Sequence, residues 1–352
     1  MDITAIVCTH NRAGSLRRTL ESLAAAAAPA GLEWEVLVVD NASADATAET
    51  VARLRDRFRL CRYLHEPALG LSRARNAGIR QARGRILAFL DDDVVVDGGW
   101  LCALREAYAR YDAACVSGRV LLARDLPRPA WWHERFDDPL GKFDRGEAVT
   151  LSSESAAGVL GIGANISFRR DVFERHGPFR TDLGRRGRRL AMGEETELCN
   201  RLRRQGELVV HYPAALVYHA PDTTRFTKRY LRRWYFRMGE WRAPEVLAEK
   251  GAPRILGVPR WRYGRALREA VAALRQTCLS GRNSAFPHEA AVFEFLGTLS
   301  GALRLAVGPA PTEAPSRGGA RLLPACPSAT SLRNPDGSAA GTPRSTGSTG
   351  SR

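Results

Sequence analysis

The chain has 352 residues, of which 44% are hydrophobic, and carries a formal net charge of +15. These values are typical of a globular protein with one large domain or two smaller ones and ample material for a core. The N-terminus has no charged segment before its short apolar run, so we expect no signal peptide. No stretch approaches the ~20 apolar residues that span a bilayer, and the most apolar one, 290–308, is interrupted by Glu294 and Arg304.

Cysteine usage and charge distribution narrow the class further. Seven scattered cysteines form no Cys-x-x-Cys pair, which indicates reduced thiols in a cytosolic compartment rather than a disulfide framework or a zinc site. The basic excess is local, since residues 222–282 hold fifteen Lys and Arg against five Asp and Glu, a balance of +10 out of +15.

Short apolar runs alternate with helical patterns through the first 122 residues. This alternation predicts parallel strand pairing in a doubly wound α/β sheet. In chain order the patterns predict strands at 3–8, 35–39, 60–65, 85–90 and 114–122, with helices around 16–23, from Ser43 or Asp45 to about 58, from Ser72 to Gly84, and at 100–110. After them come an irregular, proline-containing loop at 123–155, a glycine-rich segment leading into a strand at 158–170, a short helix at 193–206, and a strand followed by His219.

Polar clusters follow three of the predicted strands. Residues 9–12 follow the first strand, 40–43 the second and 91–93 the fourth. In open α/β sheets, ligands bind beyond the carboxyl ends of the strands. Three adjacent carboxylates, Asp91, Asp92 and Asp93, repel one another unless water or a cation compensates them. A cation site is therefore favoured over the alternative, a solvated acidic turn that caps the next helix.

Six motifs in order carry a family resemblance. They are CTHNR, VVDNAS, GLSRARNAGIRQARG, FLDDD, GANISF and GEETELCNRL. Over roughly residues 1–240 the chain resembles the family 2 glycosyltransferases of the GT-A fold. The resemblance implies a mostly parallel, Rossmann-like sheet flanked by helices at 1–222, with a nucleotide-sugar-binding half (1–122) and an acceptor-binding half (123–222). A basic helical extension at 223–308 and a disordered tail at 309–352 would follow.

The aspartate run is the strongest candidate for a metal site. Along an extended segment, Asp91 and Asp93 point to one side and Asp92 to the other. Hard divalent cations are bound by one or two carboxylates together with substrate phosphates. The resemblance places the family's metal-binding Asp-x-Asp motif here, with Asp93 as the principal ligand for Mn²⁺ or Mg²⁺. His219 completes the metal site in several relatives, although a lone histidine is equally compatible with a structural role.

The donor-binding candidates lie on the same edge. By resemblance, Asp40 binds uracil or its ribose, although Asp40 can also cap the following helix. The other donor-binding candidates are Thr9, Arg12, Ser43, Arg75, Asn76, Asp91 and Asp92. Arg12 contacts either a phosphate or solvent in this interpretation. Arg75 and Asn76 match the family's Ala-Arg-Asn signature, and a guanidinium suits diphosphate recognition.

Inverting sugar transfer requires a base that takes a proton from the acceptor hydroxyl. Glu194 and Glu195 are the natural candidates, since paired carboxylates push one pKa upward. Many relatives have Glu-Asp here and use the second residue, which corresponds to Glu195. The longer side chain leaves open which member of the pair acts, and two acids at a helix N-terminus are also favoured by the helix dipole alone.

The acceptor pocket is expected around the glycine-rich segment. By resemblance, Gly163, Ala164 and Asn165 line it, and glycine permits close backbone approach. Trp131 and Trp132 either stack on a sugar or pack in the core.

Together these features predict a metal-dependent glycosyltransferase that uses a UDP-sugar and a glycan or lipid-linked acceptor. Inversion is what the resemblance implies, because a retaining enzyme of the GT-A fold has much the same donor site. A nucleotidyltransferase would need a glycine-rich phosphate loop after the first strand, where this chain has THNRAGS. A nucleic-acid-binding protein would explain the charge of +15 and the mixture of arginines and aromatics at 225–242. It would not explain three carboxylates that repel phosphate, so no nucleic-acid partner is expected.

The basic segment 225–242 suggests a second interaction. On a helix its aromatic and Met side chains, Tyr230, Trp234, Met238 and Trp241, form one stripe, with Arg232, Arg233 and Arg237 away from it. Such a helix is suited to an anionic membrane surface, which predicts a cytoplasmic enzyme held peripherally on the cytoplasmic membrane face. The alternative is a helix that packs this stripe on the catalytic domain.

Overall fold

The computed structural model of the protein describes residues 1–152, 161–185 and 192–307. The tail predicted to be disordered, 309–352, lies outside the described residues, as do residues 158–160 of the glycine-rich segment. Within these ranges a nine-stranded sheet is followed by three long helices and a short two-stranded ribbon.

The strands follow the apolar runs, and the helices follow the amphipathic segments between them. The strands are β1 (Ile3–Thr9), β2 (Trp34–Asp40), β3 (Cys61–His65), β4 (Ile86–Asp91), β5 (Val94–Val96), β6 (Cys115–Leu122), β7 (Thr150–Leu151), β8 (Asn165–Arg169), β9 (Val209–His219), β10 (Arg254–Ile255) and β11 (Val258–Pro259). The helices are α1 (Ala13–Ala25), α2 (Thr47–Leu54), α3 (Leu71–Gln81), α4 (Trp100–Arg110), α5 (Asp171–His176), α6 (Glu194–Arg204), α7 (Lys228–Ala248), α8 (Arg260–Ser280) and α9 (Arg282–Val307).

The main sheet is mixed but mostly parallel. Its order is β3-β2-β1-β4-β8-β6-β9-β5, with β7 paired to β9. Strands β1, β2, β3, β4, β6 and β9 run in one direction, whereas β5, β7 and β8 run against them. The predicted α/β class is confirmed. The antiparallel β8 sits between β4 and β6, a position that no local pattern in the sequence indicates.

Two buried clusters cover the two faces of the sheet. Alternation along β1 sends Val7 into a cluster with the leucines of α1, including Leu16. The next side chain, Ile6, enters the other cluster, where Phe89 and the alanines of α3 pack. Because both faces are covered, the central strands are nearly continuous apolar runs, as in other sheets buried on both sides.

Three predicted helix boundaries are wrong. Helix α2 begins at Thr47 rather than at a cap of Ser43 or Asp45. Helix α3 follows Gly70, and Ser72 lies inside it, where its hydroxyl donates to the Leu183 carbonyl instead of capping the helix. The helix also ends before Gly84, where a Cβ would lie 2.4 Å from the Thr4 backbone nitrogen. Ser72 and Gly84, which local patterns assign to helix ends, are therefore engaged in tertiary contacts instead.

The C-terminal helices pack closely on one another. A Cβ on Gly297 of α9 would lie 1.9 Å from the Phe236 carbonyl oxygen of α7, and one on Gly239 of α7 would lie 2.0 Å from the Glu294 carbonyl oxygen. Glycine at these positions lets the two backbones touch. By length and composition, α9 is the one described helix that could cross a membrane, and 28% of its most apolar window is buried.

The aromatic residues of α7 face protein rather than solvent. Tyr235 is buried with Phe136 and Phe286, and Tyr230, Trp234, Trp131 and Trp132 pack around them. Trp131 and Trp132 thus take the packing role that the sequence left as one alternative. The stripe of α7 likewise follows the alternative in which it packs on the protein.

Candidate active site

Strand register brings the polar clusters to one edge of the sheet. Thr9 of β1 lies opposite Asp40 of β2, and Cys8 lies opposite Asp91 of β4. On the far side of β4, Leu90 pairs with Asn165 of β8. After the aspartates the chain turns back as β5, which pairs with the end of β9 at His219. The predicted convergence of the clusters at the carboxyl ends is confirmed by this register.

Two of the aspartates lie in a network of hydrogen bonds. The Thr9 hydroxyl donates to Asp92 at 2.7 Å. The Arg12 guanidinium reaches both aspartates, at 3.0 Å from Asp92 and 2.7 Å from Asp93. Arg225, which follows β9, lies 3.4 Å from Asp93. Cationic side chains therefore compensate carboxylates that would otherwise repel one another.

Asp91, Asp93 and His219 form a group that suits a divalent cation. Their candidate ligand atoms lie within 4.8 Å of one another. The Nε2 atom of His219 is 2.8 Å from Asp93, and its other ring nitrogen faces the Leu140 carbonyl. A backbone acceptor on one imidazole nitrogen orients the other nitrogen for a metal. Two carboxylates and one imidazole are donors that Mn²⁺ accepts.

The neighbouring aspartates have opposite pKa shifts. Burial and the charge of Asp93 raise the pKa of Asp92 to about 6, although Arg12 and Thr9 partly offset them. Burial also opposes ionisation of Asp93, but the adjacent His219, Arg225 and Arg12 hold its pKa well below the ordinary range. Asp93 therefore stays ionised to a lower pH than Asp92.

Arg75 joins this edge to the glutamate pair. Its guanidinium, 2% exposed, lies 2.9 Å from Glu194, 3.5 Å from Glu195 and 3.6 Å from Asp91. The backbone N–H of Gly163 donates to Glu195 at 2.9 Å. A single buried cation thus holds the candidate base, its neighbour and one candidate metal ligand in one cluster.

The two glutamates differ in burial. The side chain of Glu194 is 4% exposed and that of Glu195 is 17% exposed. Burial and the charge of Glu195 raise the pKa of Glu194 to about 8, against the opposing effect of Arg75. Both residues open α6 directly after Gly193, which has φ +98°. Glu195 is the more accessible carboxylate and faces the glycine-rich segment.

A separate set of hydrogen bonds surrounds Asp40. Its carboxylate accepts from the Ser43 backbone N–H at 2.9 Å and from the Tyr63 hydroxyl at 2.6 Å. The Ser43 hydroxyl accepts from the backbone N–H of Asn11 at 2.9 Å. Burial and the bond to Asp40 raise the pKa of Tyr63 to about 12, so Tyr63 remains a hydrogen-bond donor at neutral pH.

Comparison with known proteins identifies the family. A family model described as glycosyl transferase family 2 matches residues 4–177. The succinoglycan biosynthesis protein ExoM of Rhizobium meliloti is 30% identical over 295 residues, which cover 82% of this chain and 84% of that protein. The chain belongs to glycosyl transferase family 2.

Two further proteins are similar to this chain. The glucosyl-dolichyl phosphate glucuronosyltransferase of Haloferax volcanii is 30% identical over 228 residues, covering 62% of this chain and 69% of that protein. A solved mannosyltransferase from Pyrobaculum calidifontis, in complex with GDP-Man and Mn²⁺, superposes with a TM-score of 0.55 at 19% identity and covers 87% of both chains. This likeness shows that the glycosyltransferase has the GT-A fold.

The side chains of several predicted site residues contact other parts of the protein. Both ends of the Asn76 amide bond the Phe179 backbone. The Asn165 amide accepts from Trp100 and donates to the carbonyls of β6 and β9, and Ala164 is buried in the core. Their assignments to donor or acceptor binding stay predictions. Because the side chains are already engaged within the protein, such binding would use their backbone atoms or act through neighbouring residues.

The glycosyltransferase site also contains residues that the sequence analysis missed. They are Arg225 beside Asp93, Tyr63 beside Asp40, and Trp241, whose indole packs on Gly193. A Cβ on Gly193 would lie 2.0 Å from the Trp241 ring nitrogen. Each missed residue is far along the chain from its partner. Because residues 225–242 contain many arginines and aromatic residues, the sequence did not distinguish Arg225 and Trp241 from their neighbours.

Proposed function

We propose that this glycosyltransferase transfers a sugar from a UDP-sugar to an acceptor hydroxyl, with inversion and with the help of a divalent cation. The single observation that carries the proposal is the position of Arg75, which contacts Glu194, Glu195 and Asp91 at once. This contact places the candidate base next to a candidate ligand of the cation. Transfer needs that proximity, because the acceptor hydroxyl must reach the anomeric carbon that bears the diphosphate.

In this proposal the donor lies across the carboxyl ends of β1, β2 and β4. Asp40, oriented by Ser43 and Tyr63, accepts hydrogen bonds from the base or ribose, and Thr9 lines the same groove. Arg12 and Arg225, which now lie against the aspartates, are cationic partners for the diphosphate. Guanidinium groups bind phosphate oxygens in pairs of hydrogen bonds.

Asp93, Asp91 and His219 would hold the cation, and the donor set fits Mn²⁺ or Mg²⁺. When bound, the cation would offset the negative charge that collects on the departing diphosphate. One oxygen of Asp93 faces the Nε2 atom of His219, and the other accepts from Arg12 and Arg225. With the cation bound, Arg12, Arg225 and the cation would together place positive charge around the phosphates.

Glu195 acts as the base in our proposal. Its carboxylate takes the proton of the acceptor hydroxyl while the hydroxyl oxygen bonds to the anomeric carbon and the bond from that carbon to the diphosphate breaks. Arg75 and the Gly163 N–H orient Glu195 through their contacts with its Oε1. Glu194, buried and with a raised pKa, holds a proton at neutral pH and supports the pair.

The relatives suggest the setting of the reaction. One is named for succinoglycan biosynthesis and another for a glucosyl-dolichyl phosphate substrate. We propose a glycan or lipid-linked acceptor in polysaccharide biosynthesis on the cytoplasmic side of a membrane. Residues 1–222 would form the catalytic domain and 223–308 a helical extension.

Donor hydrolysis tests this proposal without knowledge of the acceptor. The full-length protein is incubated with UDP-, GDP- and dTDP-sugars, and the nucleoside diphosphate released is measured with Mn²⁺, with Mg²⁺ and with EDTA. We expect release from a UDP-sugar that EDTA abolishes and either cation restores. Full activity in EDTA would remove the cation from the mechanism, and release from GDP-sugars alone would change the donor.

A further inference from the structure

Helix α8 presents an apolar stripe to solvent. All 21 of its residues are described, and none is buried. Leu267, Val271 and Leu274 are 67%, 56% and 68% exposed, and Cys278 continues the stripe. At 3.6 residues per turn these four side chains fall within an arc of about 60°. An exposed apolar stripe of this length on an otherwise well-packed protein marks an interaction surface.

Two arginines run along one side of the stripe. Arg268 and Arg275 are exposed, and helical spacing places both about 40–60° from Val271, whereas Arg265 lies on the opposite side of the helix. Within the described ranges, no carboxylate pairs with Arg268 or Arg275. Trp261, 48% exposed, lies near the start of the same helix. Apolar side chains bordered by cations, with a tryptophan at one end, are what a helix needs in order to lie in the plane of a lipid headgroup layer.

We propose that this face of α8 docks on an anionic lipid surface. The leucines would enter the boundary between headgroups and acyl chains while the arginines contact anionic headgroups. The stripe and its arginine border are complementary to a surface that is apolar and negatively charged. The proposal concerns where the enzyme binds and does not depend on which sugar it transfers.

Two other occupants fit the charges less well. A second copy that paired its own α8 face in antiparallel orientation would bring the arginines of both copies together, and like charges across an interface oppose association. The chain beyond Val307 holds five arginines against two acidic residues, so it repeats the sign of the face instead of complementing it. The lipid surface is the occupant that the charge pattern favours.

The proposal moves the membrane contact from α7, where the sequence places it, to α8. The aromatic side chains of α7 lie against α9 and the loop that contains Trp131. Three of the α7 arginines are paired, Arg232 with Glu289, Arg237 with Glu240 and Arg242 with Glu294. The structure therefore leaves α8 as the basic helix whose apolar side faces outward.

Vesicle flotation of the full-length protein tests the proposal. Vesicles are made of phosphatidylcholine alone or with added phosphatidylglycerol, at low and high salt. One variant combines Leu267→Gln with Leu274→Gln, and a second combines Arg268→Gln with Arg275→Gln. The matched control combines Arg229→Gln with Arg233→Gln on α7, which removes the same charge from the neighbouring helix.

We expect the protein to bind only the anionic vesicles and to be released at high salt. Both α8 variants should bind about tenfold less tightly or worse, while the α7 control changes by less than about twofold. Thermal unfolding checks that all variants are folded. The proposal is overturned if the protein stays unbound at low salt, if the α7 control loses binding and the α8 variants keep it, or if size exclusion shows a dimer that the leucine variant dissociates.

Discussion

Two parts of the candidate site contain the same kinds of side chain in opposite electrostatic surroundings. One is the carboxyl-end edge of β1, β2 and β4 with Asp93, called the donor edge after the proposed function, and the other is the glutamate cluster of Glu194, Glu195 and Arg75. At the donor edge, Asp93 faces Arg12, Arg225 and His219, which hold its pKa low despite its burial. At the glutamate cluster, one guanidinium, Arg75, serves three carboxylates, and the pKa of Glu194 rises to about 8. Burial acts in the same direction at both places, so the number of nearby cations decides the outcome.

This difference separates two tasks within one site. At the donor edge, Asp93 has more than one cationic partner, which suits a diphosphate and a metal ion. The glutamate cluster has an excess of carboxylates, which suits the acceptance of a proton. Arg75 lies between the two parts and contacts carboxylates of both. A substitution in one part should therefore also alter the pKa values of the carboxylates in the other part, by a smaller amount.

The largest effect is expected from removal of the charge at the donor edge. Asp93→Asn keeps the shape but loses the anion that faces His219 and the arginines, and we expect a loss of at least about 10⁴-fold in transfer. Mn²⁺ binding, followed by titration calorimetry, should disappear as well.

Asp125→Asn, an exposed aspartate on the loop after β6, serves as the matched control and should change neither quantity. Retention of cation-stimulated activity by the Asp93 variant would show that Asp93 does not hold the cation and that the donor edge lacks the role proposed for it.

The next effect should arise at the glutamate cluster. Glu195→Gln removes the proton acceptor and keeps the size, so kcat should fall about 10³-fold. UDP with Mn²⁺ should still raise the melting temperature, because donor binding lies on the other side of Arg75.

Glu194→Gln is the comparison variant and should retain most of the activity. If that variant is the one that loses activity, the roles of the two glutamates are exchanged.

The backbone that carries the glutamates can be tested independently of charge. Gly193→Ala places a methyl group against Trp241 at a residue with φ +98°, whereas Gly206→Ala, φ +78° at the other end of α6, meets open space. The strained backbone alone costs about 1–2 kcal/mol in both variants, and the overlap should add about 1–3 kcal/mol to the first.

Denaturant unfolding measures the difference, and kcat should fall for Gly193→Ala only. Equal behaviour of the two variants would mean that Trp241 does not support the start of α6.

The smallest effect concerns stability against pH. Between pH 6 and 8 the folded chain keeps a proton on Glu194 that the unfolded chain, with a pKa near 4.5, has released. Stability therefore falls as pH rises through this window, by about 1.4 kcal/mol per unit from this group. The similar contribution of Asp92 ends near pH 6.

Glu194→Gln should flatten the slope of unfolding free energy against pH from 6 to 8, and Glu197→Gln on the same helix should leave it unchanged. An unaltered slope in the Glu194 variant would place the proton elsewhere.

Much of the donor edge could be predicted from the sequence, because each group follows a strand of its own. Thr9, Asp40 and Asp91 end apolar runs, and parallel strands bring such ends together whatever the details of packing. The partners of these groups were harder to find. Arg225 lies 132 residues from Asp93, and the segment between Gly193 and Trp241 forms α6, β9 and the first part of α7.

The sequence by itself determined the α/β class, the strands β1 to β4, β6, β8 and β9, the family resemblance and the location of the candidate site, since these follow from apolar periodicity and from motifs a few residues long. Tertiary structure decided the antiparallel place of β8, the pairing of Arg225 with Asp93, the enclosure of Arg75 by three carboxylates, and which basic helix shows an apolar face to solvent. Each of these depends on contacts between segments far apart in the chain. Local propensity is the same whether a helix turns its leucines inward or outward, and only packing against its neighbours distinguishes the two.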